Sequence, residues 1–464
     1  MDVVVVGAGL GGLAAATALH RAGHAVTVLE RAAELRETGA GIGLMPNGVR
    51  ALDALGLGGP VRERATPMPA GGGLRDRRGR ALLAVDQEAI EARAGAPLVV
   101  VDRTWLHRLL AAAVPDGIVH TGAAVEAVHD DGGRVRLALD SAQPVRDGVI
   151  HPPRRQKAGQ PTAVPVADVA PAGGPRARHQ EAAHATGASV ADVAPAGRSR
   201  TDHRGAAHPT GVPVIHVPVT HVTADLAVVA DGAGSRLRSA LFPDHPGLEG
   251  SGERAARALA PAGLGVEPVP GELLDHRSGE RFGCMLLEDG RTYWYATWSA
   301  ARPVPDEPRA RLAALRARYA DWHPTVGALL AATDPQAVHV AETVRLVAPL
   351  PTLAVGRVAL LGDAAHAMTP DLGQGGCQAF EDAVTLGALL GGAESADVPA
   401  ALARYDALRR PRTTALQRQA RRMNRLLRLR GPAGRLRDVA LRAVPQALAT
   451  PALARQFAFD AVRR

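Results

Sequence analysis

Three glycine clusters, each next to a well-placed carboxylate, are the parts of this chain whose residue types and spacing could do chemistry. Gly7, Gly9 and Gly12 spell G-x-G-x-x-G between the valine run Val3–Val6 and an alanine-rich segment, and Glu30 lies 18 residues beyond Gly12. Gly7 suits a tight turn. Gly9 lets backbone approach a diphosphate, and Gly12 lets a helix lie close to a strand. The helix start then offers unpaired N–H groups and a favourable dipole to phosphate, and a carboxylate at Glu30 can accept from ribose hydroxyls. Two further clusters follow apolar runs. One is Asp231-Gly232, with Ser235 and Arg238 beyond; the other is Gly362-Asp363, followed by Pro370 and the turn Gly373–Gly376. The first turn alone does not distinguish a nicotinamide from a flavin dinucleotide.

These residues need strand ends and helix starts to hold them. Residues 2–6 read as a buried strand, Gly11–Ala22 as a helix and Ala25–Leu29 as a second strand, a βαβ unit at the start of the sequence. Residues 39–57 read as a glycine-rich turn entering a helix, and residues 97–114 as strand, turn and helix. Val125–Val128 and Arg134–Leu139 alternate like a hairpin. A strand and turn are expected over 224–241, and alternating strands over 242–344 with a hairpin turn at Asp289-Gly290. A helix follows near 307–320. Residues 358–390 read as strand, loop and helix, and 398–464 as mostly helical with a break at Gly431-Pro432.

Residues 141–222 are different in kind. VADVAPAG occurs at 166–173 and again at 190–197, and His179, His184, His203 and His208 recur with the same period. The segment is rich in Pro, Ala, Gly, His and Arg without apolar periodicity, so it reads as an expanded, disordered surface insertion. The histidines read as duplicated polar sequence rather than a metal site.

Composition narrows the class further. The 464 residues are 46% hydrophobic, enough for two or three domains with a real core. No apolar run is long enough to span a membrane, and no leader precedes the first strand, so the expectation is a cytoplasmic protein without a transmembrane segment. Two cysteines, Cys284 and Cys377, exclude a disulfide framework, a zinc cluster and a C-x-x-C redox pair; no metal is expected. The net charge of +8 rests almost wholly on arginine, since Lys157 is the only lysine. Arg418, Arg421, Arg422, Arg425, Arg428 and Arg430 form a dense run, read first as a solvated helix face. Anionic lipid or nucleic acid is the alternative, and nucleic acid is not expected, because no aromatic residues interleave with the arginines.

With all three clusters in order, the chain resembles the class A flavoprotein monooxygenases, the family of para-hydroxybenzoate hydroxylase, salicylate hydroxylase and zeaxanthin epoxidase. The resemblance spans everything except about 141–222. It implies an α/β fold: a Rossmann-like FAD-binding domain with an inserted α+β substrate domain, and C-terminal helices. The FAD-binding domain would be discontinuous, over 1–68, 98–140, 223–241 and 345–390. The substrate domain would take 69–97 and 242–344, and residues 391–464 the C-terminal helical segment. Gly7, Gly9, Gly12 and Glu30 would hold the ADP part of FAD. Arg31 and Arg103 would contact the cofactor as well, with a surface ion pair as the plainer alternative for each. Asp363 would bind the ribityl or pyrophosphate region, and Asp231-Gly232 would serve FAD and the reduced nicotinamide. Pro370, Gly373, Gly375 and Gly376 would lie beside the flavin ring. Free N–H groups at that helix start suit the negative charge of a reduced flavin. His366 is expected to orient its loop and Cys377 only to pack. Tyr405, Arg409, Pro411 and Arg412 are expected to fix the flavin helix.

The resemblance implies an enzyme that uses NADH or NADPH as transient co-substrate. It would insert one oxygen atom from dioxygen into a small aromatic, polyketide or isoprenoid substrate through a flavin C4a-hydroperoxide. No residue's pattern marks a base for a phenol, and oligomeric state is not legible. The substrate would lie against the strands of 242–344. There Tyr293, Tyr295 and Thr297 alternate with Trp294, Ala296 and Trp298, and either face could cover it. Two alternatives share the fold: a flavin-dependent reductase of prenyl double bonds, and a non-catalytic FAD-binding protein.

Overall fold

A computed structural model describes residues 1–35, 40–69, 71–140 and 220–458. The expected insertion and its repeated histidines fall almost entirely outside the described residues.

Val3–Val6 are all buried, and the strand Asp2–Val6 lies between two parallel neighbours, Ala25–Glu30 and Leu226–Val229. A continuous apolar run is what a strand covered on both faces requires. Val358–Leu360 adds in parallel beyond Leu226–Val229, and Val119–Thr121 adds in parallel beyond Ala25–Glu30. Ala354–Val355 closes one edge, so the sheet has six strands. The carboxyl ends of four adjacent strands, at Leu360, Val229, Val6 and Glu30, therefore share one edge. The helices Leu10–Arg21 and Gly375–Leu390 cross over this sheet. A Cβ on Gly11 would lie 3.0 Å from the Ala379 Cβ, so small residues set how closely the two helices pack.

A second, seven-stranded sheet is built from Gly73–Asp76 and Ala81–Ala84 together with strands between Leu248 and Leu346. Its central pair, Arg281–Leu286 and Thr292–Ser299, is antiparallel about the turn at Gly290, where φ is +81°. One face carries Phe282, Trp294, Ala296 and Trp298. It packs on Leu312 and Leu315 of the helix Pro308–Arg318 and on Val326, Leu329 and Leu330 of Pro324–Ala332. Phe282 stacks on Trp294 at 5.6 Å. The tryptophan face is thus core. The opposite face, with Tyr293 and Tyr295, packs with Ala40, Val100 and Leu287.

Three local expectations change. The glycine-rich stretch after residue 39 forms a short strand, Gly41–Leu44, antiparallel to Val99–Asp102, before the helix Pro46–Ala54. The strand expected before Asp231 is Leu226–Val229, and a separate short strand, His221–Ala224, precedes it, so the last residues assigned to the 141–222 insertion belong to a sheet. His221–Ala224 is antiparallel to Val135–Leu139, which pairs in turn with Val125–Asp130. The Leu139 amide donates to the Thr220 carbonyl at 3.0 Å, so these two residues lie side by side. Third, the dense arginine run is not simply a solvated face. On the helix Val398–Leu427, Arg421 donates to the carbonyls of Leu346 and Val347 at 2.7 Å each. Arg428, just past the helix end, donates to the carbonyls of Ser251 and Gly252. Arg418, Arg422, Arg425 and Arg430 are exposed.

Candidate active site

The sequence motifs meet at the shared strand edge. Gly7 has φ +102°, and a side chain there would strike the Ala230 carbonyl at 2.5 Å. A Cβ on Gly12 would lie 1.9 Å from the Gly7 oxygen, so only glycine lets this helix start so close to the strand. Gly9 is different: a Cβ there would meet nothing within 4 Å, and the same holds at Gly232, where φ is +86°. The loop is therefore packed tightly behind and left open in front. Glu30 fixes its shape. Its two carboxylate oxygens accept from the Ala8 amide at 2.8 Å and the Ala32 amide at 2.9 Å. Each oxygen keeps a further lone pair for a ribose hydroxyl. His107 also reaches the loop, with Nε2 2.8 Å from the Ala8 carbonyl oxygen.

Asp231 follows the neighbouring strand end. Its buried Oδ1 has no hydrogen-bond partner among the described residues, and burial raises its carboxyl against the pull of Ser235, Arg238 and Arg31. An orphaned buried acceptor is costly unless a ligand supplies a donor. Arg238 bridges two clusters. It feels the charges of both Asp231 and Asp363, and it donates to the Ala364 carbonyl at 3.2 Å. Asp363 opens the short helix Asp363–His366, accessible to water within a cleft walled by protein. That enclosure raises its carboxyl, opposed by His366, Arg103 and Arg238. A Cβ on Gly375 would lie 3.9 Å from an Asp363 oxygen, which puts this carboxylate at the start of the helix Gly375–Leu390.

Arg103 opens the helix Arg103–Ala112 after the strand Val99–Asp102. Burial and the nearby Arg257 lower its pKa, while Asp363 and Tyr293 act the other way. Arg31 is exposed at the rim, near Asp231. The structure thus brings Gly7, Gly9, Gly12, Glu30, Asp231, Gly232, Asp363, Arg103 and Arg238 to one strand edge and the cleft beside it.

The short turn Pro370–Leu372 and Gly373 lead into the helix at Gly375. The Met45 side chain fills the space beside Gly373, and Ile42 lies against Gly376. Behind this turn Asp382 accepts from the Gly362 amide at 3.0 Å and pairs with His366 Nε2 at 2.6 Å. Arg409 binds both Asp382 and Glu381, Arg412 chelates Glu381, and Tyr405 donates to the Leu360 carbonyl at 2.9 Å. Burial alone would raise Asp382. His366 and Arg409 more than offset it and hold that carboxyl below its ordinary range. His366, Tyr405, Arg409 and Arg412 therefore brace the helix. Cys377 is buried under Gly48, and burial pushes its thiol up to about 12, so the helix start does not activate it.

On the substrate side lies a cluster the motifs did not mark. Arg281 is buried among three carboxylates. It meets Asp371 at 2.9 Å, Glu253 at 3.2 Å and Glu272 at 3.4 Å. Its Nε donates to Thr297 Oγ1, and Glu272 accepts from the Tyr295 hydroxyl at 3.0 Å. Burial would lower this guanidinium, but the three acids hold it above its usual value. Burial also raises Glu253, whose Oε1 is unpartnered while Asn424 and Arg281 take its Oε2. Asp371 stands directly after Pro370 in the turn expected to meet the flavin ring. The Arg281–Asp371 pair therefore ties the second sheet to that turn. Tyr293, on the same face, lies against Gly41 and bonds Arg257. The tyrosine face is the one turned to the cofactor side. Only the pairing of Pro370 with an acidic neighbour hinted at this cluster, since its other members are scattered over 253–297.

The residues fit a flavin dinucleotide. The open fronts of Gly9 and Gly232, the orphaned Asp231 oxygen and the accessible Asp363 carboxylate are acceptors and clearances that such a ligand would fill.

Comparison with known proteins agrees. The chain matches the family described as FAD binding domain over residues 1–148 and 181–420. It is 31% identical to an aurachin C monooxygenase/isomerase of Stigmatella aurantiaca, covering 88% of this chain and 85% of that protein. It is 28% identical to an FAD-dependent urate hydroxylase of Klebsiella pneumoniae, covering 91% and 89%. Among solved structures, Klebsiella pneumoniae HpxO complexed with FAD and uric acid superposes with a TM-score of 0.74. That match has 25% identity and covers 98% of this chain and 96% of that one.

Proposed function

The chain belongs to the FAD-binding-domain family and is an FAD-dependent monooxygenase, and on that premise we propose that it hydroxylates a planar, hydroxylated aromatic or heteroaromatic ring at the expense of NADH or NADPH. The observation that carries the reading is the Arg281–Asp371 pair, which joins the tyrosine-lined sheet to the turn entering the helix at Gly375.

The division of labour follows from the residues. Gly7, Gly9 and Gly12 leave the first helix start open to a diphosphate. Glu30 would take the ribose of the adenosine, with Arg31 and Arg103 contributing charge. Asp231 and Asp363 would accept hydroxyls of the ribityl chain, and Pro370, Gly373, Gly375 and Gly376 would lie along the ring. Bound flavin supplies the reductive activation of dioxygen and the transfer of one oxygen atom.

The protein's own contribution is to place the substrate and keep water out. Tyr293, Val100 and Leu287 form an apolar cluster beside Arg103, which shields that side of the cleft. Arg281, enclosed by Glu253, Glu272 and Asp371, would act by fixing the turn before Gly375 against the tyrosine-bearing sheet rather than by meeting the ring itself. Glu253, which accepts from Arg281 and Asn424, helps hold Arg281 in place. Relatives named as an aurachin C monooxygenase/isomerase, a urate hydroxylase and a 3-amino-4-hydroxybenzoate 2-monooxygenase of Streptomyces platensis support this substrate class. We place the enzyme in the cytoplasm, where Cys284 and Cys377 stay reduced, with no part for nucleic acid.

The test is NAD(P)H oxidation and oxygen uptake across hydroxybenzoates, hydroxyquinolines and phenolic polyketides. A ring that stimulates both, with hydroxylated product formed in step, supports the proposal. Product formed without oxygen would assign a reductase instead, and a panel that stimulates neither would overturn the substrate class.

A further inference from the structure

Seven large apolar side chains are substantially exposed among the described residues, and six of them lie between residues 426 and 448. They are Leu426, Leu429, Leu436, Val439, Val444 and Leu448, with Leu436 at 71%, Val439 at 60% and Leu448 at 67% exposure. The same stretch is basic. Arg422, Arg425, Arg430, Arg435 and Arg442 are exposed, and Asp438 is the only acid between Asp406 and Asp460.

This exposure does not come from a loosely attached helix. The helix Gly431–Arg442 turns Gly434, Arg437 and Asp438 inward. Gly434 lies against the His276 carbonyl, closer than any side chain would allow. Arg437 donates to the carbonyls of Leu427 and Leu429, capping the preceding helix, and pairs with Asp438. With that side fixed, Leu436 and Val439 are held one turn apart on the outside, flanked by Arg435 and Arg442.

Beside the helix runs a groove of about 540 Å³, away from the active site, lined by Arg77, Arg78, Arg80, Arg277, Arg435 and Arg442. Its carboxylates are already engaged. Asp76 faces Arg442 at 3.9 Å, and Asp438 binds Arg437 and stands 3.5 Å from His276. Asp275 and Asp321 beside it pair with Arg77 and Arg277. Arg78, Arg80 and Arg435 make no ion pair among the described residues.

Leucine and valine flanked by arginine, with the exposed Asp321 beside the groove already paired to Arg77 and Arg277, match an anionic bilayer surface, where apolar side chains enter the headgroup boundary and guanidinium groups meet phosphate. A second copy fits poorly, because a two-fold contact would set these arginines against one another while the groove's carboxylates are already paired within the chain. Nucleic acid fits poorly because the face presents leucine and valine where stacking aromatics would be needed. We propose that the outer face of the helix Gly431–Arg442, continued through Val444 and Leu448, docks this enzyme on the surface of an anionic lipid bilayer. No helix among the described residues is long and apolar enough to cross one, so the attachment is peripheral.

Vesicle flotation of the full-length flavoprotein tests this. It should float with equimolar phosphatidylcholine and phosphatidylglycerol, stay behind with phosphatidylcholine alone, and be released by high salt. The pairs Leu436→Glu with Val439→Glu, and Arg435→Glu with Arg442→Glu, should each weaken vesicle binding at least about tenfold. Both should keep wild-type flavin absorbance and turnover of a water-soluble substrate. Failure to float with the anionic vesicles overturns the proposal. So does flotation that neither pair weakens, and so does a concentration-dependent dimer that Leu436→Glu abolishes while lipid binding is unaffected. Retention on duplex DNA with the same dependence on both pairs would assign the face to nucleic acid instead.

Discussion

The cofactor edge and the substrate-side cluster solve the same problem, presenting polar groups inside a protein, in opposite ways. At the strand edge the polar groups are mostly backbone, the side chains are small, and Gly9 and Gly232 face open space. Across the cleft, Arg281 is enclosed by Glu253, Glu272 and Asp371, and its charge is matched by side chains alone. The first design tolerates no added atom behind the loop and has room for one in front at Gly9, whereas at Gly232 the positive φ would strain any side chain. The second tolerates no lost charge. A mutation should therefore fail by overlap on one side and by uncompensated charge on the other.

The largest effect should come from Gly12→Val. Its Cβ would lie 1.9 Å from the Gly7 oxygen, which the backbone cannot accommodate without separating helix from strand. We expect loss of bound flavin and of about 3 kcal/mol or more of stability, read by visible absorbance and thermal melting. Gly9→Ala, with nothing within 4 Å, should fold normally and show its cost only in flavin affinity. Equal melting losses for the two would break the contrast.

Arg281→Met comes next. It strands three buried carboxylates, so melting should report a loss of about 3–5 kcal/mol. The pair Arg281→Met with Asp371→Asn should recover part of that loss. A single variant as stable as wild type would show the cluster to be wetter than its geometry implies.

Asp363→Asn should be milder. The carboxylate is already disfavoured by its enclosure, so the folded protein should lose little stability. Flavin affinity should fall roughly ten- to hundredfold, reflecting about 1.5–3 kcal/mol for a charged hydrogen bond.

The pH dependence sharpens the comparison through its sign. Asp382 and Glu381 are held below the ordinary carboxyl range, chiefly by His366 and Arg409 for the first and by Arg409 and Arg412 for the second, against their burial. Their contribution is present above the unfolded value, about 4, and is lost as pH falls through their folded values. Glu253 is raised by burial, so its contribution is present in acid and is lost as pH rises from about 4.3 through its folded value. Glu253→Gln should flatten the fall on the neutral side and leave the acid limb unchanged. A flattened acid limb would contradict the assignment.

The smallest effect should follow deletion of residues 145–218. Leu139 and Thr220 are hydrogen-bonded neighbours, so a short loop can join their strands. The shortened protein should stay folded and yellow. A colourless aggregate would give that segment a structural role.

The same contrast explains what the sequence made legible. A diphosphate turn is local: Gly7, Gly9 and Gly12 must follow one strand at fixed spacing, so the pattern can be read without a fold. Glu30, Asp231 and Asp363 are legible for a similar reason, each closing its own strand. The Arg281 cluster is assembled by strand register, with Glu253, Glu272 and Arg281 on three strands and Asp371 from a distant turn. No spacing rule links them. Alternation separated the tyrosine face from the tryptophan face but not which one met the cofactor, because both are apolar enough to be core. The arginine run read as solvated, yet Arg421 and Arg428 bind carbonyls of the other sheet, since long side chains reach partners that helix periodicity does not show.

Four strand ends and one helix start meet at one edge of the six-stranded sheet, and we propose that they hold an FAD that supports oxygenation of an aromatic ring. The direct test is the visible spectrum of the purified protein, followed by anaerobic and aerobic NAD(P)H titration with a hydroxylated aromatic present. The account expects oxidised-flavin absorbance released as FAD on denaturation, bleaching by NAD(P)H without oxygen, and recovery with hydroxylated product once oxygen is admitted. A protein that stays colourless after incubation with FAD, or a flavin that reoxidises without ever yielding oxygenated product from any ring tested, would contradict it.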